Sequence, residues 1–389
     1  MALFSASNLW QQEEHQLFVE SARRFYADAL VPNTERWAEQ GQVDREFWRQ
    51  AGEAGLMSGS IAEAYGGVGG GMTFDAIALY EQAAVGDVGW GYAIQSIVMH
   101  YIQQYGTETQ KLRWLPKLVS GEMVAALAMT EPGTGSDLQA IKTTAEKQGD
   151  HYVLSGSKTF ITNGHSANLI VVAAKTDKTS GAKGVSLIGV EVAEDTDAAD
   201  GFRRGRNLNK LGMKGNDTAE LFFDELKVPV ENLLGETAGK GFYQLMNQLP
   251  WERLIIGITA LGCIDFALQE TLAYVRERKA FGQRIMDFQN TRFKLAEVKT
   301  KAELLRAFVN DCLYQLEQGE LDAATASMVK YWGSQTQNEV MNECLQLFGG
   351  YGYMMEYPIA RLYADARVQM IYGGSNEIMK ELIARSIDG

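Results

Sequence analysis

The spacing of apolar residues changes twice along the 389-residue chain, and those changes set the architecture. Near the N-terminus Phe18, Ala22, Phe25 and Ala29 recur at helical steps, and the same period continues in further segments to about residue 117. Asn8 is the expected N-cap, with Gln11 three positions on, and Pro32 the expected stop. Between about 122 and 236 the pattern becomes short β-branched runs separated by turn residues: Tyr152 to Leu154, Leu169 to Val172, Val185 to Val190, Leu221 to Phe223. After Gly241 long helices return. Leu254, Ile258, Leu261, Ile264, Leu268, Leu272 and Val275 keep steps of three and four, as do Leu295, Val298, Ala302, Leu305, Val309 and Cys312. Two antiparallel helices joined near Phe281 to Phe288 follow from this. The expected fold is mainly α with a β middle domain, divided at 1–121, 122–236 and 237–389.

Composition excludes several classes. With 36 Lys plus Arg against 49 Asp plus Glu the net charge is −13, the wrong sign for a nucleic-acid binder. Cys263, Cys312 and Cys344 lie far apart in hydrophobic patterns, giving neither a disulfide framework nor a zinc site, and so point to a reducing compartment. His15, His100, His151 and His165 form no pair at metal-ligand spacing, so no metal site is expected. The first residues lack the features of a signal or transit peptide, no stretch is expected to span a membrane, and a bacterial cytoplasm is the expected location.

Two motifs imitate chemistry. The glycine run from Tyr65 to Met72 lacks the preceding strand and full spacing of a dinucleotide loop and reads as a turn between helices. Ser155 and Lys158 match a Ser-x-x-Lys pattern but sit on a strand and turn, where that chemistry is not found.

Glu252, in LPWERLIIG, stands immediately before a helical stretch apolar on more than one face. Gln248, Leu249, Ile255 and Ile256 occupy the positions three and four away, so no helical ion pair is available and Gln248 could at most donate a hydrogen bond. Burial without a charge partner would raise its pKa toward neutrality, as suits a base that removes a weakly acidic proton; the other reading is a Glu paired with a distant Arg. AMTEPGTGSD, Ala128 to Asp137, could hold phosphate or an oxidised ring system, or be a turn-rich loop. RKAFGQRIMDFQ, Arg278 to Gln289, could meet pyrophosphate, or be a solvated helix end. LFGGYGY, Leu347 to Tyr353, and IYGGSNEI, Ile371 to Ile378, add two glycine pairs, the second before a helix N-terminus.

Together with GSKTFITNG and KLGMKGNDTAELFFDELKVP, these segments resemble, in order and over almost the whole chain, the signature segments of the acyl-CoA dehydrogenase family. The resemblance implies an α-helical N-terminal domain, a β-barrel middle domain, a C-terminal four-helix bundle, and FAD held in a homotetramer that is a dimer of dimers. It implies that Leu127, Met129, Thr130, Gly135 and Ser136 lie along the flavin, with Phe160, Ile161 and Thr162 behind it. Arg278, Phe281, Phe288 and Gln289, with Gln346, Leu347, Phe348, Gly349 and Gly350, would meet the FAD of a neighbouring subunit, and Ser375 and Glu377 the near one. Ser136, Arg253, Tyr372, Gly373 and Gly374 would line the CoA-thioester side. Many members carry the catalytic Glu directly after the Tyr of the C-terminal motif, where this chain has Gly373. Long-chain and isovaleryl-CoA dehydrogenases place it on the bundle helix, in a segment similar to that of Glu252. The implied reaction converts acyl-CoA to trans-2-enoyl-CoA, with electrons passed to an electron-transferring flavoprotein. Acyl-carrier-protein dehydrogenases, oxygen-reactive flavin enzymes and a non-catalytic FAD-binding role are the alternatives on this scaffold.

Overall fold

The computed structural model describes residues 10–194 and 198–388, so the expected cap at Asn8 lies outside the described residues. Six helices come first: α1 (Glu13–Phe25), α2 (Thr34–Gln40), α3 (Arg45–Glu53), α4 (Met72–Ala83), α5 (Tyr92–Tyr105) and α6 (Glu108–Val119). Pro32 does not stop the first helix as expected. The chain passes from α1 through a π-turn, Tyr26–Leu30, and a 3-10 turn, Val31–Asn33, into α2. Proline sits in the first turn of the 3-10 segment, where its missing N–H costs nothing. The glycine run after Tyr65 is a turn leading into α4.

Eight strands follow: β1 (Ala125–Ala128), β2 (Thr144–Gln148), β3 (His151–Thr162), β4 (Leu169–Lys175), β5 (Val185–Glu191), β6 (Ala198–Ala199), β7 (Phe202–Asn207) and β8 (Thr218–Pro229). They form one curled sheet in the order β1-β4-β2-β3-β8-β7-β6, with β5 paired to β4. β1 runs parallel to β4, and the long β3–β8 pair is antiparallel, with a register shift between Lys158 and Ile161. Each expected β-branched run lies within a strand.

The last part holds α7 (Gly241–Glu277), the two-residue strands β9 (Lys279–Ala280) and β10 (Gln283–Arg284), α8 (Gln289–Glu317), α9 (Ala323–Phe348), α10 (Pro358–Ala366) and α11 (Asn376–Asp388). The helical stripes expected on α7 and α8 are buried except for the half-buried Leu272. α7 starts at Gly241, where the helices were expected to return, but Glu252, expected immediately before a helical stretch, lies inside it, because Pro250 is accommodated within the helix. At 37 residues it runs roughly 55 Å. By length and composition it could cross a bilayer, contrary to the expectation that no stretch approaches a span; however, 78% of its most apolar window is buried inside the protein, so it is the central core helix.

Two features fix how α7 packs. A Cβ on Gly333 would meet the Gly257 Cα at 3.1 Å, so paired glycines let α9 approach α7 closely. Asp265, buried on α7, accepts from Arg306 Nη2 of α8 at 2.7 and 2.8 Å and from the Tyr80 hydroxyl of α4. This joins three helices through one carboxylate. Arg306→Met should therefore destabilise the protein by about 3–5 kcal/mol, by leaving the Asp265 charge buried without its cation. Denaturant titration checks this, and an unchanged midpoint would contradict it.

Candidate active site

Glu252 lies inside α7, two residues past Pro250, and is only 8% exposed. Its Oε1 accepts from the Tyr101 hydroxyl of α5 at 2.8 Å. Among the described residues no group donates to Oε2. Burial pushes the Glu252 carboxyl up to about 7, against the pull of the Tyr101 hydrogen bond and the Arg253 charge. Among the described residues no arginine from across the fold pairs with it. Arg253 donates instead to the Ala323 carbonyl at 3.3 Å and Ser327 Oγ at 3.1 Å, both on α9, leaving its buried Nε without a partner. Gln248 is not among the donors to Glu252.

Gly373 faces the same stretch of α7. Its φ is +61°, and a Cβ there would come 2.5 Å from Ile256 Cδ1, one turn beyond Glu252. Ile256 thus fills part of the space that a side chain at position 373 would take. The loop is anchored from below by Lys330 of α9, a buried ammonium that donates to the Gly374 carbonyl at 2.6 Å and Asn376 Oδ1 at 3.0 Å. Ser334 donates to the same Asn376 oxygen at 3.1 Å. Tyr372 is half-buried and donates to Gln369. Ser375 Oγ accepts from the Ile378 amide at the start of α11, and Glu377 is exposed there, its carboxyl held low by local hydrogen bonds.

A second group of residues gathers at the edge of the sheet. Leu127 is buried on β1, and the chain then leaves the strand through Met129 and Thr130. The Thr159 amide donates to the Thr130 carbonyl at 2.9 Å, tying this loop to β3. Lys158, fully buried, donates at 2.9 Å to both the Met129 carbonyl and Glu131 Oε1, so it serves this junction and no acyl-transfer chemistry. Immediately beyond comes the irregular register of β3, where Phe160 takes φ +59° and is 67% exposed. A bulge that turns an aromatic ring outward at a strained backbone position is a common mark of a binding surface. Ile161 is buried, Thr162 is half-buried, and Gly135 and Ser136 lie exposed on the facing loop.

The third group lines a cleft of about 650 Å³ bounded by Arg278, Gln346, Leu347, Phe348, Gly349 and Gly350. Arg278 lies over the Tyr351 ring at 5.5 Å. Phe281, 96% exposed, meets Phe288 edge-on at 6.3 Å beside the exposed Gln289. Among the described residues no hydrogen bond or ring contact joins this group to the sheet-edge group within one chain.

These residues fit FAD. An arginine facing a glycine pair with open space around both Cα atoms suits a diphosphate, and the exposed Phe160 offers an apolar face to a ring. A further cleft of about 490 Å³, lined by Tyr105, Thr107, Leu234, Lys240, Tyr243 and Gln244, opens along the helices that carry the carboxylate. Tyr105 is one turn from Tyr101 and Gln244 two turns from Glu252, roughly 6 and 12 Å along the helix axes. Sequence reasoning missed Tyr101 and Lys330. The only signal was a polar side chain at an otherwise apolar position of a helical stripe, which requires a partner without naming it.

The chain matches the family models of the acyl-CoA dehydrogenase N-terminal domain at residues 12–122, middle domain at 126–226 and C-terminal domain at 239–387. It is 49% identical over 377 residues to the mitochondrial long-chain specific acyl-CoA dehydrogenase of Rattus norvegicus, covering 96% of this chain and 86% of the rat protein. It is 36% identical over 387 residues to the mitochondrial isovaleryl-CoA dehydrogenase of Oryza sativa subsp. japonica, covering 98% and 93%. The crystal structure of an acyl-CoA dehydrogenase from Geobacillus kaustophilus superposes with a TM-score of 0.93 at 45% identity, covering 98% of this chain and all of that one. With its sequence, its fold and the segments around its buried carboxylate in agreement, the chain belongs to the acyl-CoA dehydrogenase family, enzymes acting on CH–CH bonds.

Proposed function

We propose that the protein dehydrogenates a saturated acyl-CoA to the trans-2-enoyl-CoA with Glu252 as its base. The observation that carries this is a carboxylate sealed in a helix, raised toward neutrality, with one oxygen free of any donor among the described residues. Such a group accepts a proton far more readily than an exposed Glu. Oε2 takes the α-proton. The Gly373 N–H polarises the thioester oxygen, and Lys330, by holding the Gly374 carbonyl, anchors the loop immediately after it. FAD bound there would supply the acceptor for the β-hydride, and an electron-transferring flavoprotein would take up the electrons.

Met129, Thr130, Ser136 and Phe160 to Thr162 hold the flavin in this reading, while Arg278, Gln289 and Gln346 to Gly350 hold the diphosphate and adenosine end from a neighbouring subunit. Their separation within one chain supports a cofactor shared across an interface and a tetramer built as a dimer of dimers. The division at residues 121 and 236 accompanies it. Lys240 beside the second cleft suits the anionic end of CoA. The acyl group is longer or more branched than butyryl, because position 373 carries no side chain and Ile256 takes up only part of the space one would fill. Three buried free cysteines suit a reducing compartment such as the cytoplasm.

Anaerobic bleaching of the flavin by short, long and branched acyl-CoAs tests the substrate class; preference for butyryl-CoA over all longer and branched esters would contradict it. Arg278→Ala should lose FAD and subunit association together, seen by flavin content and light scattering. Glu252→Gln should bind FAD and acyl-CoA but reduce the flavin at least 10²–10⁴-fold more slowly, roughly the share credited to a general base. The same variant should be the more stable protein above pH 7. A carboxyl whose folded pKa is raised contributes its full stability only below its unfolded pKa, and loses it as pH rises through about 7. From 4.5 to about 7 that loss amounts to roughly 3 kcal/mol, and denaturant titrations at acid and alkaline pH would reveal it.

A further inference from the structure

Tyr101 is completely buried, and the Glu252 carboxylate is the only hydrogen-bond partner of its hydroxyl among the described residues. A phenylalanine would fill the same volume. The hydroxyl therefore has a task that packing does not explain, since burying it would otherwise cost free energy.

The helix that carries it is locked. Gln95 on α5 donates to the Leu118 and Met123 carbonyls at 2.9 Å each and accepts from the Ala125 amide at 2.6 Å. The adjacent Ser96 donates to Asp75 at 2.5 Å, and about one turn further on His100 bonds Ser60 Oγ at 2.7 Å. Three buried polar side chains fix the register and rotation of α5 against α4, α6 and β1. The residue after His100 is Tyr101, so its hydroxyl is presented to α7 from a rigid support.

We propose that Tyr101 is the positioning residue of this active site: its hydroxyl holds Oε1 of Glu252, orients the carboxylate and leaves Oε2 to receive the substrate α-proton. This rests on Glu252 being the base. A donor to a carboxylate favours the ionised form, so the same contact keeps more of the base able to act at neutral pH. The surrounding charges leave it that role. On α5, His100 faces the Trp251 ring at 5.6 Å, with Asp75 of α4 3.3 Å from its Nε2, while Tyr105 meets the Tyr101 ring. On α7, Arg253 acts on Glu252 through space and donates its hydrogen bonds to α9. Lys330 of α9 interacts with Arg253 and with Glu377 of α11, and not with Glu252.

The test compares Tyr101→Phe with the wild-type holoenzyme by two readouts. In the first, flavin reduction by a saturating acyl-CoA is followed across pH. Its acid limb should move to higher pH by about one to two units, the size of a lost charge-assisted hydrogen bond, with the rate recovering on the alkaline side and KM and FAD content unchanged. The second is infrared titration, without substrate, of the protonated-carboxyl band that Glu252→Gln removes; its midpoint should rise in parallel. A carboxyl band that titrates as in the wild type, or a rate lowered equally at every pH, would overturn the proposal. The two ideas fail separately: rapid flavin reduction in Glu252→Gln would remove the base assignment, while the infrared shift reports the Tyr101 contact alone.

Discussion

Burying one carboxylate without a contacting cation is the constraint around which this protein is built. In water a Glu gains nothing from losing a proton late; within α7 it does, because the charged form has lost its solvent. The cost must be met by packing elsewhere. α7 provides that packing through its length, its near-complete burial and its contacts with α4, α5, α8 and α9.

The same helix shows two ways of treating a buried acid. Asp265 is given a cation and a hydroxyl, Arg306 and Tyr80, and becomes a structural tie. Glu252 is given one hydroxyl and a neighbouring cation that binds elsewhere, and stays titratable near neutral pH. They stand on one helix, so environment rather than residue type separates structure from chemistry. The close contact of Gly257 with Gly333 supports the second arrangement. It draws α9 against α7 just beyond the base and brings Lys330 under the Gly373–Gly374 loop.

Much of this was legible in the sequence, for physical reasons. The stripes of α7 and α8 are long enough for helical period to dominate, and the β-branched runs fall within strands. Glu252 could be singled out because an apolar helix offered it no neighbour at three or four residues. What the sequence concealed is long-range or conformational. Tyr101 is 151 residues from the carboxylate it meets, and nothing in local spacing connects them. The continuity of α7 through Pro250 depends on surroundings that outweigh a local breaker. The left-handed backbone of Phe160 arises from a register shift between two strands, which no single segment encodes.

Removal of the α-proton can be observed without the accompanying hydride transfer. An acyl-CoA analogue with sulfur at the β-position has no β-hydride to lose, yet its α-deuterons can still exchange with solvent through the base. Mass spectrometry of the recovered thioester should show deuterium washed out by the wild-type protein, fastest above about pH 7 where Glu252 is ionised, and retained with Glu252→Gln. Equal washout by both proteins would mean that another group removes the proton.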